Sequence, residues 1–137
     1  MDWLDNTNGE DKYHVAMITT DGQHHIKWDI IEILKDIDNM NFETEYRNAH
    51  HLSEQGGGRC SDSEYAMKTD IEKPCIIVKL NADIEILIDG YHRLYKALKL
   101  NIESIPCYVL PAEYHKKFIV DYDSTVYDKI AAEYHAK

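Results

Sequence analysis

The stretch that constrains this chain most is Ile84–Leu110, IEILIDGYHRLYKALKLNIESIPCYVL. Ile84, Ile86 and Ile88 alternate around Glu85, which is the period of a strand, and Asp89-Gly90 stops it with two turn-forming residues. Leu94, Ala97 and Leu98 then fall at i, i+3 and i+4 while Lys96 and Lys99 face outward, so the spacing predicts an amphipathic helix over Tyr91–Leu100. Ile105–Leu110 is apolar again, and Pro111 ends it. Strand, tight turn, helix and strand in this order read as a βαβ-like unit, with His92 and Arg93 where the helix begins.

The flanking chain supplies the rest of a small α+β fold. After Pro74, Cys75–Leu80 (CIIVKL) is a nearly continuous apolar strand, and the turn Asn81-Ala82-Asp83 makes it antiparallel to Ile84–Ile88. Upstream, Tyr13–Thr20 is a strand candidate that Asp21-Gly22 turns back into His24–Trp28 as a hairpin. Asp29 caps a helix over Asp29–Asn39, whose Ile30, Ile31, Ile33, Leu34 and Ile37 recur at helical spacing. From Asn41 to Asp70 no period is sustained, although Tyr46, Ala49, His50 and Leu52 outline a short helix before Gly56. Residues 1–12 are polar and acidic, a flexible start with Trp3 and Leu4 as its anchor, and 112–137 hold one short and one longer helix broken around Asp121–Ser124. The expectation is one α+β domain over 1–137, a small mixed β-sheet packed against helices.

Length and charge bound what such a domain can do. A chain of 137 residues is one ordinary domain. Its 25 acids against 15 bases give a net charge of −10, which repels nucleic-acid backbones at long range and disfavours DNA binding. No apolar run approaches the roughly 18 residues that span a bilayer, and the acidic start is unlike a secretory signal, so no membrane association and a cytoplasmic location are expected. Cys60, Cys75 and Cys107 match no zinc spacing and read as reduced, buried thiols. The adjacent pairs His24-His25 and His50-His51 point to opposite faces of a strand and make no chelate by themselves. Tyr114 with His115, and Tyr134 with His135, read as a core tyrosine beside a surface histidine.

Chemistry concentrates at DGYHR. A strand that opens at once into a helix presents the N–H groups of the first helical turn and the positive end of the helix dipole, a geometry that suits phosphate. Gly90 removes the side chain that would block close approach, Arg93 is a forked cation, and His92 can pair with a phosphate oxygen. Asp89 can orient one of these groups, hold a metal ion, or act as general base. The alternative is structural: Asp89 caps the helix and Arg93 pairs with a surface carboxylate. The residues alone leave both readings standing.

With Gly90-Tyr91-His92-Arg93 opening the helix and Ile105-Pro106 in the strand that follows, this stretch resembles the second motif of the ParB/sulfiredoxin-like superfamily. The likeness reaches back through Cys75–Ile88. It implies that Gly90, Tyr91, His92 and Arg93 cradle the phosphates of ATP or another nucleotide with Mg2+, and that any activity is phosphoryl transfer or phosphate-ester hydrolysis. Asp89 and His92 would then be the catalytic side chains, Asp89 or an acid from Glu43–Glu54 the base, and Asp89 the metal ligand. Sulfiredoxin-like enzymes carry a cysteine where this chain has Tyr91, which argues against sulfinic-acid reduction. Partition proteins carry a DNA-clamping module for which the chain after Leu110 is too short. Two other readings keep the scaffold: a non-catalytic acidic protein of a phage or mobile element that binds a protein partner as a nucleic-acid mimic, and a ParB-like nuclease, which the net charge weakens.

A second glycine-rich stretch, Gly56–Cys60 (GGGRC), lacks the lysine and Ser/Thr of a P-loop. Gly57, Gly58 and Arg59 are candidates for a lid that brings a second cation to the phosphates, against the alternative of a plain flexible connector.

Overall fold

The computed structural model describes residues 15–53 and 63–136, so the expectations for residues 1–12 and for Gly57, Gly58, Arg59 and Cys60 lie outside it. The described chain gathers into two compact units, one of residues 15–42, 80–84 and 111–136, the other of residues 43–53, 63–79 and 85–110. Together their elements make an α+β chain with a mixed sheet, as the sequence predicts.

The first unit begins with β1 (Val15–Thr19) and β2 (His25–Asp29), paired antiparallel from Val15↔Asp29 to Thr19↔His25. Asp21 shapes the turn between them, its Oδ1 accepting the amides of Gln23 and His24 at 2.8 Å each. The Asp29 carboxylate then caps α1 (Ile30–Met40), accepting the Glu32 amide at 3.1 Å, and Ile30, Ile31, Ile33, Leu34 and Ile37 form the buried face. Such a cap contributes about 1 kcal/mol. After Pro111 come α5 (Ala112–His115), a 3₁₀ turn (Lys116–Phe118) and α6 (Ser124–Ala136), the last opened by Asp123 Oδ1, which accepts the amides of Thr125 and Val126. The helix break expected around Asp121–Ser124 is therefore present.

One expectation here is corrected. His115 is not a surface residue but 0 % exposed, and its Nδ1 accepts the indole N–H of the fully buried Trp28 at 3.0 Å. In the four-residue α5, Tyr114 and His115 both turn inward. Tyr114 stacks edge-on with Phe42 and donates to Asp36, while His115 faces Trp28 and Tyr127. A buried indole N–H needs an acceptor, and the histidine supplies it.

The second unit is built on a four-stranded sheet of β3 (Glu45–Asn48), β6 (Ser104–Leu110), β4 (Cys75–Asn81) and β5 (Ile84–Asp89), in the order β3-β6-β4-β5. The tip of the β4–β5 hairpin, residues 80–84, is counted with the first unit. β6 is antiparallel to β3, with Glu45↔Cys107, and parallel to β4, with Cys75↔Cys107. This corrects the βαβ-like reading. β5 and β6 flank β4 instead of pairing, so the parallel neighbour of β6 is the strand before the hairpin. β3 was not foreseen, because an edge strand of polar residues (EYRN) shows no apolar alternation; Tyr46 belongs to it, whereas Ala49 and Leu52 are the buried residues of α2 (Ala49–Ser53). A further short helix, α3 (Ser63–Ala66), precedes β4, and α4 (Tyr91–Lys99) follows β5.

Leu94 and Ala97 of α4 pack with Cys75, Ile77, Leu87, Ile105, Cys107 and Val109 into one core, joined by Ala49 and Leu52. Burying a leucine such as Leu94 stabilises the fold by about 2 kcal/mol. Among the described residues, no helix is long and apolar enough to cross a membrane.

Candidate functional site

The turn that joins β5 to α4 is fixed by two close contacts. Gly90 has φ 106°, and a Cβ built there would sit 2.4 Å from Cys75 Sγ and 2.8 Å from Cys75 Cβ. Glycine is thus required twice, by the backbone angle and by the neighbouring strand. The Gly90 carbonyl accepts the Leu94 amide at 2.9 Å as the first turn of α4, and no side chain caps the helix. The amides of the first turn point out of the helix end, where the dipole favours an anion.

The charged residues of DGYHR face inward. Arg93 is 7 % exposed; its Nη1 donates to the Pro74 carbonyl at 2.8 Å, and its Nη2 lies 3.9 Å from Asp89 Oδ2. Asp89 is 2 % exposed. Neither group is placed as the surface ion pair of the structural alternative, because the i, i+4 spacing folds the guanidinium back under the turn toward the carboxylate. Tyr91 is 38 % exposed and its hydroxyl donates to the Leu87 carbonyl at 2.5 Å, which anchors the helix start to β5. His92 is half-buried, so of the two side chains read as catalytic it has the greater access to solvent.

Asp89 faces Arg93 from an almost fully buried position, an arrangement that suits a structural partner of the guanidinium better than a ligand of Mg2+, which keeps several waters and needs an open carboxylate. Among the described residues, no three or more His, Cys, Asp or Glu side chains are grouped to hold a metal ion. His50 and His51 lie on α2 and are exposed, and His24 is bonded to Asp21 at 2.7 Å. Of the acids proposed as a base, Glu43 is exposed and Glu45 is bonded to Arg47 at 3.1 Å.

Two residues that the sequence did not point to complete the turn. Pro74 supplies the carbonyl for Arg93, and Cys75 fills the space beside Gly90, its thiol 3.7 Å from the Gly90 carbonyl. The only signal was their adjacency at the start of an apolar strand. Cys75 and Cys107 are free thiols and buried. The hydrogen bond from Cys107 and, more weakly, the Arg93 guanidinium pull the Cys75 thiol below its ordinary range against the effect of burial, while the same bond and burial push Cys107 up. Thiols closed off from solvent in this way pack and do not react.

A second charged group crosses the sheet. Arg47 on β3 holds Glu85 on β5 through two bonds, Nε to Oε1 at 2.8 Å and Nη2 to Oε2 at 3.1 Å, and reaches Glu45 as well. Of the arginines in the described chain, then, both serve internal contacts. No family model, no curated protein and no solved structure matches the chain.

Proposed function

We propose that the N-terminus of α4 binds a phosphate group of a nucleotide. The observation that carries this reading is the uncapped opening of a nine-residue helix directly behind Gly90, with half-buried His92 in its first turn. The resemblance of GYHR and Ile105-Pro106 to ParB/sulfiredoxin-like proteins supports it. Arg93 takes a different part from the one that resemblance implies: it braces the turn from inside, against Pro74 and Asp89, and leaves the first-turn amides and His92 to meet the phosphate. Mg2+ would arrive on the nucleotide, held by the phosphates, and not at Asp89. Phosphoryl transfer or phosphate-ester hydrolysis at this position would rest on His92.

Isothermal titration with ATP, ADP, CTP, GTP and inorganic phosphate, each with Mg2+, tests the proposal. His92→Ala is expected to weaken binding about tenfold or more, the value of one hydrogen bond to a charged group. Equal affinity in that variant, or no heat with any of these ligands, refutes it.

A second reading is favoured by the burial of Asp89 and Arg93, which removes both charges of the motif from solvent. In it the fold is a non-catalytic scaffold whose net charge of −10 occupies a basic site on a protein partner. Salt-sensitive binding to a defined basic protein, with no nucleotide binding, separates it from the first. A nuclease would show itself as plasmid nicking dependent on Mg2+ and His92.

A further inference from the structure

The first unit contains a cavity of about 280 Å³ between the β1–β2 turn and the start of α6. Its apolar walls are Ile26, Ile119 and Val126, and its polar lining includes His24, Asp121 and Asp123. Two tyrosines also line it, Tyr127 deep in the core and Tyr122 at 44 % exposure, with ring centroids 6.0 Å apart and planes at 58°. We propose that this cavity binds a small organic cation, an alkylammonium or guanidinium group, between the Tyr122 ring and the carboxylates of Asp121 and Asp123.

Charge pairing on this face separates these two acids from their neighbours. Asp21 and Glu133 share Lys129, at 2.9 and 3.9 Å. Among the described residues, Asp121 and Asp123 have no cationic partner, and Asp123 uses only Oδ1 to cap α6. The aromatic half of the site shows the same preference. Lys116 Nζ already lies 4.5 Å over the Tyr127 ring, whereas no cation lies over Tyr122 among the described residues. A cation at the mouth of the cavity meets an electron-rich ring face and two uncompensated carboxylates together. The chain's net charge of −10 steers such a ligand toward it. This site is independent of the α4 turn, and either stands if the other fails.

The backbone allows a clean test. Asp121 is left-handed at φ 52°, a conformation asparagine tolerates, and asparagine caps helices as well as aspartate does, so D121N/D123N removes two charges and keeps the fold. The probes are Nα-acetyl-L-arginine amide and its uncharged isostere Nα-acetyl-L-citrulline amide, whose blocked α-amines leave the guanidinium as the sole charge, measured by calorimetric titration of the full chain. Arginine amide should bind saturably and citrulline amide should not. The double variant should lose about tenfold in affinity, an effect that added salt reproduces in the wild type. Tyr122→Ala should weaken binding further. Spermidine and an acetylated Gly-Arg-Gly amide distinguish the source: tighter binding of the first marks a free polyamine, of the second a side chain of a partner protein. Equal binding of the two isosteres, unchanged affinity in D121N/D123N, or no saturable heat up to roughly 10 mM ligand overturns the proposal.

Discussion

Replacing Gly90 by alanine should destabilise the second unit strongly. Two costs combine. At φ 106° an L-residue sits in a sparsely populated region, which costs roughly 1–3 kcal/mol. The new Cβ would also lie 2.4 Å from Cys75 Sγ, 2.8 Å from its Cβ and 3.1 Å from its Cα, and the last of these is backbone in the sheet, so β4 itself must give. Overpacking of this kind costs roughly 1–3 kcal/mol. The sum, about 4 kcal/mol, is a large fraction of the roughly 5–15 kcal/mol that holds a domain of this size together.

Urea denaturation followed by circular dichroism measures it, and a double-mutant cycle divides it. Cys75→Gly removes Sγ and Cβ, so G90A should cost about 2 kcal/mol less in the Cys75→Gly background, while the backbone component persists. A G90A protein within about 1 kcal/mol of wild type would refute the reasoning. So would a coupling near zero, because the close contact with Cys75 would then carry no energy.

Other expectations follow from the remaining polar contacts. Arg93→Ala removes the donor to Pro74 and the cation beside Asp89, and should lower the urea midpoint by the equivalent of about 3 kcal/mol, so loss of nucleotide binding in that variant would report unfolding before function. Glu85 titrates below its ordinary value because Arg47 bonds it; its contribution is present above the unfolded-state pKa of about 4.5 and is lost as pH falls through the lower folded-state value. Acid titration of stability should therefore flatten in Arg47→Met, by about 1 kcal/mol, and an unchanged profile would count against the pair. His115→Ala leaves the Trp28 indole N–H buried without its acceptor and opens a void, and should cost about 3 kcal/mol by urea titration; a loss under about 1 kcal/mol would contradict the contact. Asp29→Ala should cost about 1 kcal/mol by the same measurement, and Asp29→Asn close to nothing.

What the sequence revealed depended on how each element announces itself. α1 and α4 were legible because their apolar residues repeat at helical spacing, and the β1–β2 hairpin because Asp21-Gly22 is a turn on its own chemistry. β3 was silent, since Glu45, Tyr46 and Asn48 are exposed and its register is imposed by β6. The strand order escaped for a related reason: a sequence shows neighbours along the chain, and β6 pairs with β4 across the intervening hairpin. At DGYHR, position was legible and orientation was not. Arg93 at i+4 from Asp89 can turn outward to a ligand or inward to the carboxylate, and the Pro74 carbonyl, nineteen residues earlier, decides in favour of the interior. His115 illustrates the same gap, because its donor, Trp28, is eighty-seven residues away.

The strand order also bears on the chain while it is being made. β6 lies between β3 and β4, yet it is synthesised after both, so until residues 104–110 leave the ribosome β3 lacks its partner among the described strands and β4 shows one open edge. That edge belongs to CIIVKL, an apolar, β-prone segment of the kind that pairs with copies of itself when uncovered. The nascent protein is thus most exposed to aggregation during the interval between β4 and β6, and α4, translated in that interval, brings Leu94 and Ala97 to join Ala49 and Leu52 of α2 over the apolar face of the unfinished sheet.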